Sequence, residues 1–86
     1  MHWMVYILKC SDGTFYTGIS NNLKARVDKH NSGKGAKYTK PRRPVSLVYS
    51  EMCFDKSSSL KREIQIKKLS RQKKMDLIDA RNFSTT

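Results

Sequence analysis

The stretch from Trp3 to Ser20 constrains the fold more than any other part of the chain. Two runs rich in β-formers, Trp-Met-Val-Tyr-Ile-Leu-Lys-Cys at 3–10 and Thr-Phe-Tyr-Thr-Gly-Ile-Ser at 14–20, flank Ser11-Asp12-Gly13. This is the pattern of two antiparallel strands joined by a tight loop. Glycine at the end of the loop fits a three-residue connection, a type I turn followed by a left-handed residue. With Cys10 opposite Thr14, Tyr6 falls opposite Gly18 and Tyr16 opposite Leu8. Opposed residues share a face, as do residues two apart, so both tyrosines point to one side and Gly18 leaves space across from Tyr6. A two-residue loop on Asp12-Gly13 would instead send the tyrosines to opposite faces.

The remainder reads as helices around that hairpin and one more strand. Asn21 or Asn22 can cap a helix from Leu23, with Leu23 and Val27 as its buried stripe and a stop near Asn31–Gly33. Arg26 and His30 are four apart and therefore neighbours along one side of it. Residues 32–44 carry two glycines, two prolines and several cations, which excludes a long regular element. A third strand is expected at 45–51, apolar enough for a sheet interior or a well-covered face. Asp55 can cap a second helix running to about Leu69, in which Leu60 and Ile64 align while Ile66 and Leu69 fall elsewhere around the wheel. That pattern implies contacts on more than one side or a break near Ser70, itself a plausible cap for a last helix carrying Met75, Leu77 and Ile78. The expected fold is α+β: a three-stranded antiparallel sheet covered by about three helices, one domain over residues 1–81, with a polar tail at 82–86 that frays.

Charge narrows the partners. The chain has 86 residues, enough for one modest core, and carries 18 Lys+Arg against 7 Asp+Glu, a net charge of +11. So one-sided a surplus points to a polyanion, with nucleic acid first. An anionic membrane ranks low because the basic helices lack a broad apolar face that inserts, and no apolar run approaches the length of a span. The N-terminal apolar stretch Trp3–Leu8 is strand-length and lacks the features of a signal peptide, so the chain reads as intracellular and cytoplasmic. Cys10 and Cys53 form no metal-ligand spacing and read as small buried hydrophobes in strands, with no disulfide expected in a reducing compartment.

Five residues could carry chemistry: Tyr6, Tyr16, Arg26, His30 and Glu63. Tyrosine moves a proton, arginine holds a phosphate, and a carboxylate holds a hard cation such as Mg²⁺ or Mn²⁺. Each has an ordinary structural explanation as well. Glu63 is placed for an ion pair with Lys67, Arg26 for the solvated surface, His30 for the cationic end of a helix, and both tyrosines for sheet packing. The combination, in this order and on converging elements, argues for a site. Lys34, Lys37, Lys40, Arg42 and Arg43 in the 32–44 loop are placed to track a phosphate backbone. Tyr38 offers either a stacking face for a base or packing against the helices.

These residues resemble the GIY-YIG nuclease superfamily, and within it a small single-domain bacterial subgroup. The first family motif falls at Met4-Val5-Tyr6, keeping the tyrosine; the second falls at Tyr16-Thr17-Gly18, keeping tyrosine and glycine. Arg26 falls at the family's helix arginine, His30 one turn later, and Glu63 at the metal-binding glutamate. Asn31 to Arg43 and Lys67-Lys68-Leu69-Ser70 also look typical of the subgroup. The resemblance implies hydrolysis of a phosphodiester bond with one divalent metal, Mg²⁺ or Mn²⁺, at Glu63. It implies Arg26 on the phosphate, Tyr6 as general base for the attacking water, Tyr16 as orienter, and His30 as proton relay or phosphate ligand. A tyrosine titrates near ~10 unperturbed, and the metal, Arg26 and the basic surroundings are expected to lower that of Tyr6. DNA is the favoured substrate, recognised by structure rather than base sequence; RNA, a binding module without cleavage, and a targeting protein partner remain open.

Overall fold

The computed structural model describes residues 2–84, with side chains through Arg81. In chain order the elements are β1 (Trp3–Lys9), β2 (Phe15–Ser20), α1 (Leu23–Asn31), β3 (Ser46–Cys53), α2 (Lys56–Lys67) and α3 (Arg71–Ser84), with one 3₁₀ turn at Lys40–Arg42. The three strands form one antiparallel sheet in the order β2-β1-β3. The α+β architecture is the expected one.

The hairpin closes through three residues. Cys10 N donates to Thr14 O at 2.8 Å, Gly13 N donates to Cys10 O at 2.9 Å, and Gly13 takes the left-handed φ of 85°. Asp12 fixes the loop by accepting from Thr14 N at 3.1 Å and from Thr14 Oγ1 at 2.6 Å. Tyr6 accordingly pairs with Gly18 and Leu8 with Tyr16.

The central strand β1 divides the core. Val5 and Ile7 point to one face, where they pack with Tyr49, Ile66 and Ile78. Tyr6 and Leu8 point to the other, joined by Cys10 and Val45 and flanked by Tyr16, Leu23 and Val27. All four β1 side chains are essentially fully buried, each worth about 1.5–3 kcal/mol of apolar burial. β3 therefore is not the sheet interior: it lies at an edge, and a bulge between its Tyr49 and Leu47 partners shifts its register against Ile7 and Leu8. Cys10 and Cys53 are free thiols on opposite faces; Cys10 is buried just past β1, while Cys53, at the end of β3, is half-buried.

The helices start where their caps place them. Asn22 Oδ1 accepts from Ala25 N, Asp55 Oδ1 from Ser58 N, and Ser70 Oγ from Lys73 N. The break before Ser70 is real, and Arg71 anchors the start of α3 by donating to Gly13 O at 2.9 Å and stacking on Phe15. The aligned pair on α2 is the wrong one: Leu60 and Ile64 are 42% and 54% exposed, whereas Ser59 and Ile66 are buried. The face of α2 that meets the sheet is partly polar, with Arg62 reaching across to Glu51 at 3.0 Å, so apolar periodicity misidentifies it. α3 continues to Ser84, through part of the stretch expected to fray, since each residue added to a formed helix closes another backbone bond. Thr85 and Thr86, the remainder of that expected tail, lie outside the described residues. Among the described residues no helix is long and apolar enough to cross a membrane.

Candidate active site

The site forms where the Tyr6 face of the sheet meets α1 and the 32–44 loop. Gly18 is its structural precondition. A Cβ there would lie 2.6 Å from Tyr6 Oη and 2.7 Å from Cζ, so only glycine lets the Tyr6 ring lie across β2. Tyr6 and Tyr16 point to the same side with ring centroids 6.5 Å apart. His30 on α1 meets both, at 6.1 Å from Tyr6 and 5.1 Å from Tyr16.

His30 is fully buried and hydrogen-bonded at both ring nitrogens. Nε2 lies 2.9 Å from Tyr6 Oη, and Nδ1 lies 2.8 Å from Thr39 Oγ1. Burial, with the Arg26 charge second, holds its pKa below the usual 6.5. It is thus a neutral imidazole at neutral pH, not the cation expected of a helix-terminal histidine.

Arg26, one turn earlier on the same helix, faces both tyrosine hydroxyls. Its hydrogen-bonding with Tyr6, and secondarily its contact with Tyr16, hold its own pKa above the ordinary value. For Tyr6 the balance runs against the sequence expectation. Burial pushes its phenol above 10.0, Arg26 pulls it down, and electrostatic interaction with Tyr16 and then Glu63 adds to the rise. Desolvation outweighs one guanidinium, so Tyr6 keeps its proton at neutral pH and needs an acceptor to lose it.

Glu63 reaches the site from α2 with its side chain 17% exposed, and it does form the ion pair with Lys67, Nζ to Oε2 at 3.5 Å. Such an i,i+4 pair is worth only about 0.3–0.5 kcal/mol, so it leaves the carboxylate available to another cation. Among the described residues no three His, Cys, Asp or Glu side chains converge as a metal cage. One hard carboxylate fits an ion such as Mg²⁺, which keeps several waters and completes its shell with substrate phosphate.

The basic loop is held at several points. Asn31 bonds Val45 through both its amide atoms, at 2.7 and 3.0 Å, and Ser11 N and Oγ both donate to Arg42 O. Tyr38 stacks on Tyr16 at 6.0 Å, and the Arg42 guanidinium sits 4.0 Å from the Tyr38 ring centroid. Arg42 also donates to Asp12 Oδ2 and Tyr38 O, and Arg43 donates to Lys40 O. Lys34, Lys37 and Lys40 are solvent-exposed. The structure therefore brings Tyr6, Tyr16, Arg26 and His30 together, with Glu63 in electrostatic reach and Tyr38 stacked at the margin. The three lysines stand apart on the surface, and both loop arginines are engaged by the chain itself.

Sequence reasoning missed Thr39 and Gly35. Thr39 is fully buried against His30, and a Cβ at Gly35 would lie 2.5 Å from His30 Nδ1. It also missed an open groove of about 220 Å³ beside the site, lined by Phe15, Tyr16, Thr17, Tyr38, Lys67 and Lys74. A hydroxyl and a glycine inside a basic loop carry no periodic signal, and the groove joins four separate elements.

The family model described as the GIY-YIG catalytic domain matches residues 2–76. UPF0213 proteins of Staphylococcus aureus strains Mu3 and N315 are each 62% identical over 77 residues, covering 90% of this chain and 94% of theirs. The solution structure of the UPF0213 protein BH0048 from Bacillus halodurans is 44% identical with a TM-score of 0.60, covering 93% of this chain and 85% of that one. That of protein EF2693 from E. faecalis is 38% identical with a TM-score of 0.63, covering 95% and 86%. The tyrosine pair of the hairpin, the helix arginine and the later glutamate thus sit on a family scaffold, and the chain belongs to the GIY-YIG nuclease-domain family, among its UPF0213 members.

Proposed function

We propose that this chain is a divalent-metal-dependent phosphodiesterase that cleaves DNA, selecting its substrate by structure rather than by base sequence. The observation that carries this reading is the buried Tyr6–His30 hydrogen bond, with the Arg26 guanidinium facing both tyrosine hydroxyls. A buried tyrosine hydroxyl needs a partner, and here the partner is a base able to take its proton. A water held at Tyr6 would lose its proton to the phenol oxygen as the phenol proton passes to His30 Nε2, so that hydroxide attacks phosphorus and His30 ends as imidazolium. Arg26 is placed to hold the phosphate oxygens in its fork as charge develops. Tyr16 orients the water or the phosphate. A divalent ion held by Glu63 would supply polarisation of the scissile phosphate and stabilisation of the leaving oxygen.

The adjoining groove is suited to the neighbouring nucleotide. Its Lys67 and Lys74 ammoniums match a phosphate, and Tyr16 and Tyr38 offer an aromatic wall. Lys34, Lys37 and Lys40 extend the positive surface along the loop, and the net charge of +11 supplies long-range attraction. Contacts of this kind bind backbone and read no sequence, which is why structure selectivity is the expected behaviour. The runner-up is a nucleic-acid-binding module without cleavage, favoured by the Glu63–Lys67 pair, which is how a carboxylate with no metal to hold would settle.

A cleavage assay with Mg²⁺ or Mn²⁺ on branched, flapped and single-stranded DNA and RNA, wild type beside Glu63→Ala, separates the two. The nuclease reading expects cleavage of particular DNA structures that Glu63→Ala abolishes while binding persists. Binding without cleavage by either protein gives the binding module. A fixed recognition sequence among the products contradicts structure selectivity.

A further inference from the structure

We propose that Thr39 is a positioning residue that sets the ring proton of His30 on Nδ1, leaving Nε2 bare to receive the proton of Tyr6. The protons along one buried chain of contacts can be counted. Thr39 Oγ1 donates to Ala36 O at 3.0 Å, and a carbonyl oxygen can only accept. The Thr39 hydroxyl has one proton, and while that proton lies on Ala36 O the oxygen accepts from His30 Nδ1, 2.8 Å away. In that arrangement Nδ1 carries hydrogen. A neutral imidazole has one N–H, so Nε2 is bare and the 2.9 Å contact with Tyr6 Oη is a bond donated by tyrosine. The opposite tautomer would turn the Thr39 proton from Ala36 O to Nδ1 and leave that carbonyl to the longer bonds from Thr39 N and Lys40 N, at 3.2 and 3.3 Å.

The surroundings agree with this direction. The groups facing His30 are Tyr6 on β1, Tyr16 on β2, Arg26 on its own helix and Thr39 on the loop; Glu63 acts on Tyr6 from α2. Thr39 and His30 are both fully buried, so water is not at hand to replace the hydroxyl. The close approach depends on Gly35, whose backbone passes over the ring where a Cβ would lie 2.8 Å from His30 Cα. The arrangement is that of a base oriented by a third group, with a neutral hydroxyl in the place often taken by a carboxylate. The loop that offers lysines to the backbone on its outside thus sets the tautomer on its inside.

Without the hydroxyl, a buried Nδ1–H would have no acceptor. The ring relieves this by moving its proton to Nε2, where the Tyr6 oxygen accepts it, and Tyr6 then has no base. The catalytic consequence rests on the nuclease reading, but the tautomer is measured without it. The chain has only two histidines, and His2 is exposed, so ¹⁵N-histidine-labelled protein gives two readily separated ring patterns.

Long-range ¹H–¹⁵N spectra at pH 8 should show His30 protonated at Nδ1 in wild type and in Thr39→Ser, and at Nε2 in Thr39→Val. In cleavage assays Thr39→Val should lose about 10-fold to 100-fold in kcat, with the Kd for a DNA substrate changed by less than about 2-fold, and Thr39→Ser should recover most of the rate. A wild-type His30 carrying its proton on Nε2 overturns the proposal, as does an unchanged tautomer in Thr39→Val or equal rate losses in the valine and serine variants. Should Thr39→Val fail to fold, the wild-type and serine spectra decide. A wild type that cleaves nothing while showing the Nδ1–H form refutes the nuclease reading and leaves the tautomer assignment standing.

Discussion

Gly18→Ala is the sharpest single perturbation of this site, because the three atoms nearest the added methyl all belong to Tyr6. Its Cβ would lie 2.6 Å from Tyr6 Oη, 2.7 Å from Cζ and 3.1 Å from Cε2. Carbon contacts settle near 3.5 Å, so the end of the ring must withdraw by about 0.8 Å. The Tyr6–His30 bond is 2.9 Å long, and a displacement of that size disrupts its geometry unless His30 moves as well. His30 cannot follow freely, since Nδ1 is held by Thr39 and Gly35 closes its other side. Overpacking of this kind costs about 1–3 kcal/mol, and in a domain this size each kcal/mol lowers Tm by roughly 4–8 °C. A misplacement near 1 Å at a reacting group costs on the order of 10²-fold in rate. Gly18→Ala should therefore remain folded, with Tm lowered by about 4–24 °C, bind a branched DNA as wild type does, and lose about 10²-fold in single-turnover cleavage. Thermal melts, anisotropy binding and quenched-flow cleavage on one preparation check all three. A variant with wild-type rate would refute the claim that Gly18 exists to seat Tyr6.

Other outcomes follow from the same geometry. Arg26→Ala should lose about 10²–10³-fold in kcat while Kd changes by only a few fold, because its main contact forms as charge develops; equal losses in binding and turnover argue against that role. His30 has a folded pKa below 6.5, so the unfolded chain takes up its proton first as pH falls, and stability drops from about pH 6.5 down through the depressed folded value. Urea midpoints at pH 7.5 and 5.5 should show that slope in wild type and a shallower one in His30→Gln. For the misread α2 face, Ile64→Gln should change stability by less than about 0.5 kcal/mol while Ile66→Ala costs about 2–5 kcal/mol in the same urea titrations.

The sequence made the hairpin legible because a loop type, once chosen, dictates every pairing along two strands. Ser11-Asp12-Gly13 supplied that choice, and the pairing of Tyr6 with Gly18 follows it. Helix starts were legible for a similar reason: Asn22, Asp55 and Ser70 each act locally on backbone donors a few residues ahead. What was hidden depends on three-dimensional competition. Leu60 and Ile64 look like a core stripe, yet α2 turns Ser59, Glu63 and Ile66 inward because that side faces the sheet and the site. The direction of the Tyr6 shift depends on how much burial opposes Arg26, which a list of nearby charges cannot supply. Arg42 reads as a phosphate ligand until Asp12, Tyr38 and Ser11 are found around it. Thr39 acts through a hydroxyl nine residues from the histidine it touches, and no periodicity records that.

The central claim is that Tyr6 acts through its hydroxyl, and Tyr6→Phe tests it most directly because it removes that one atom and leaves the ring packed against Gly18. Single-turnover cleavage of a branched DNA with Mg²⁺, alongside Kd and Tm, is the measurement. A rate loss of at least about 10²-fold is expected, with DNA affinity held within a few fold. A phenylalanine variant that cleaves at the wild-type rate would contradict it.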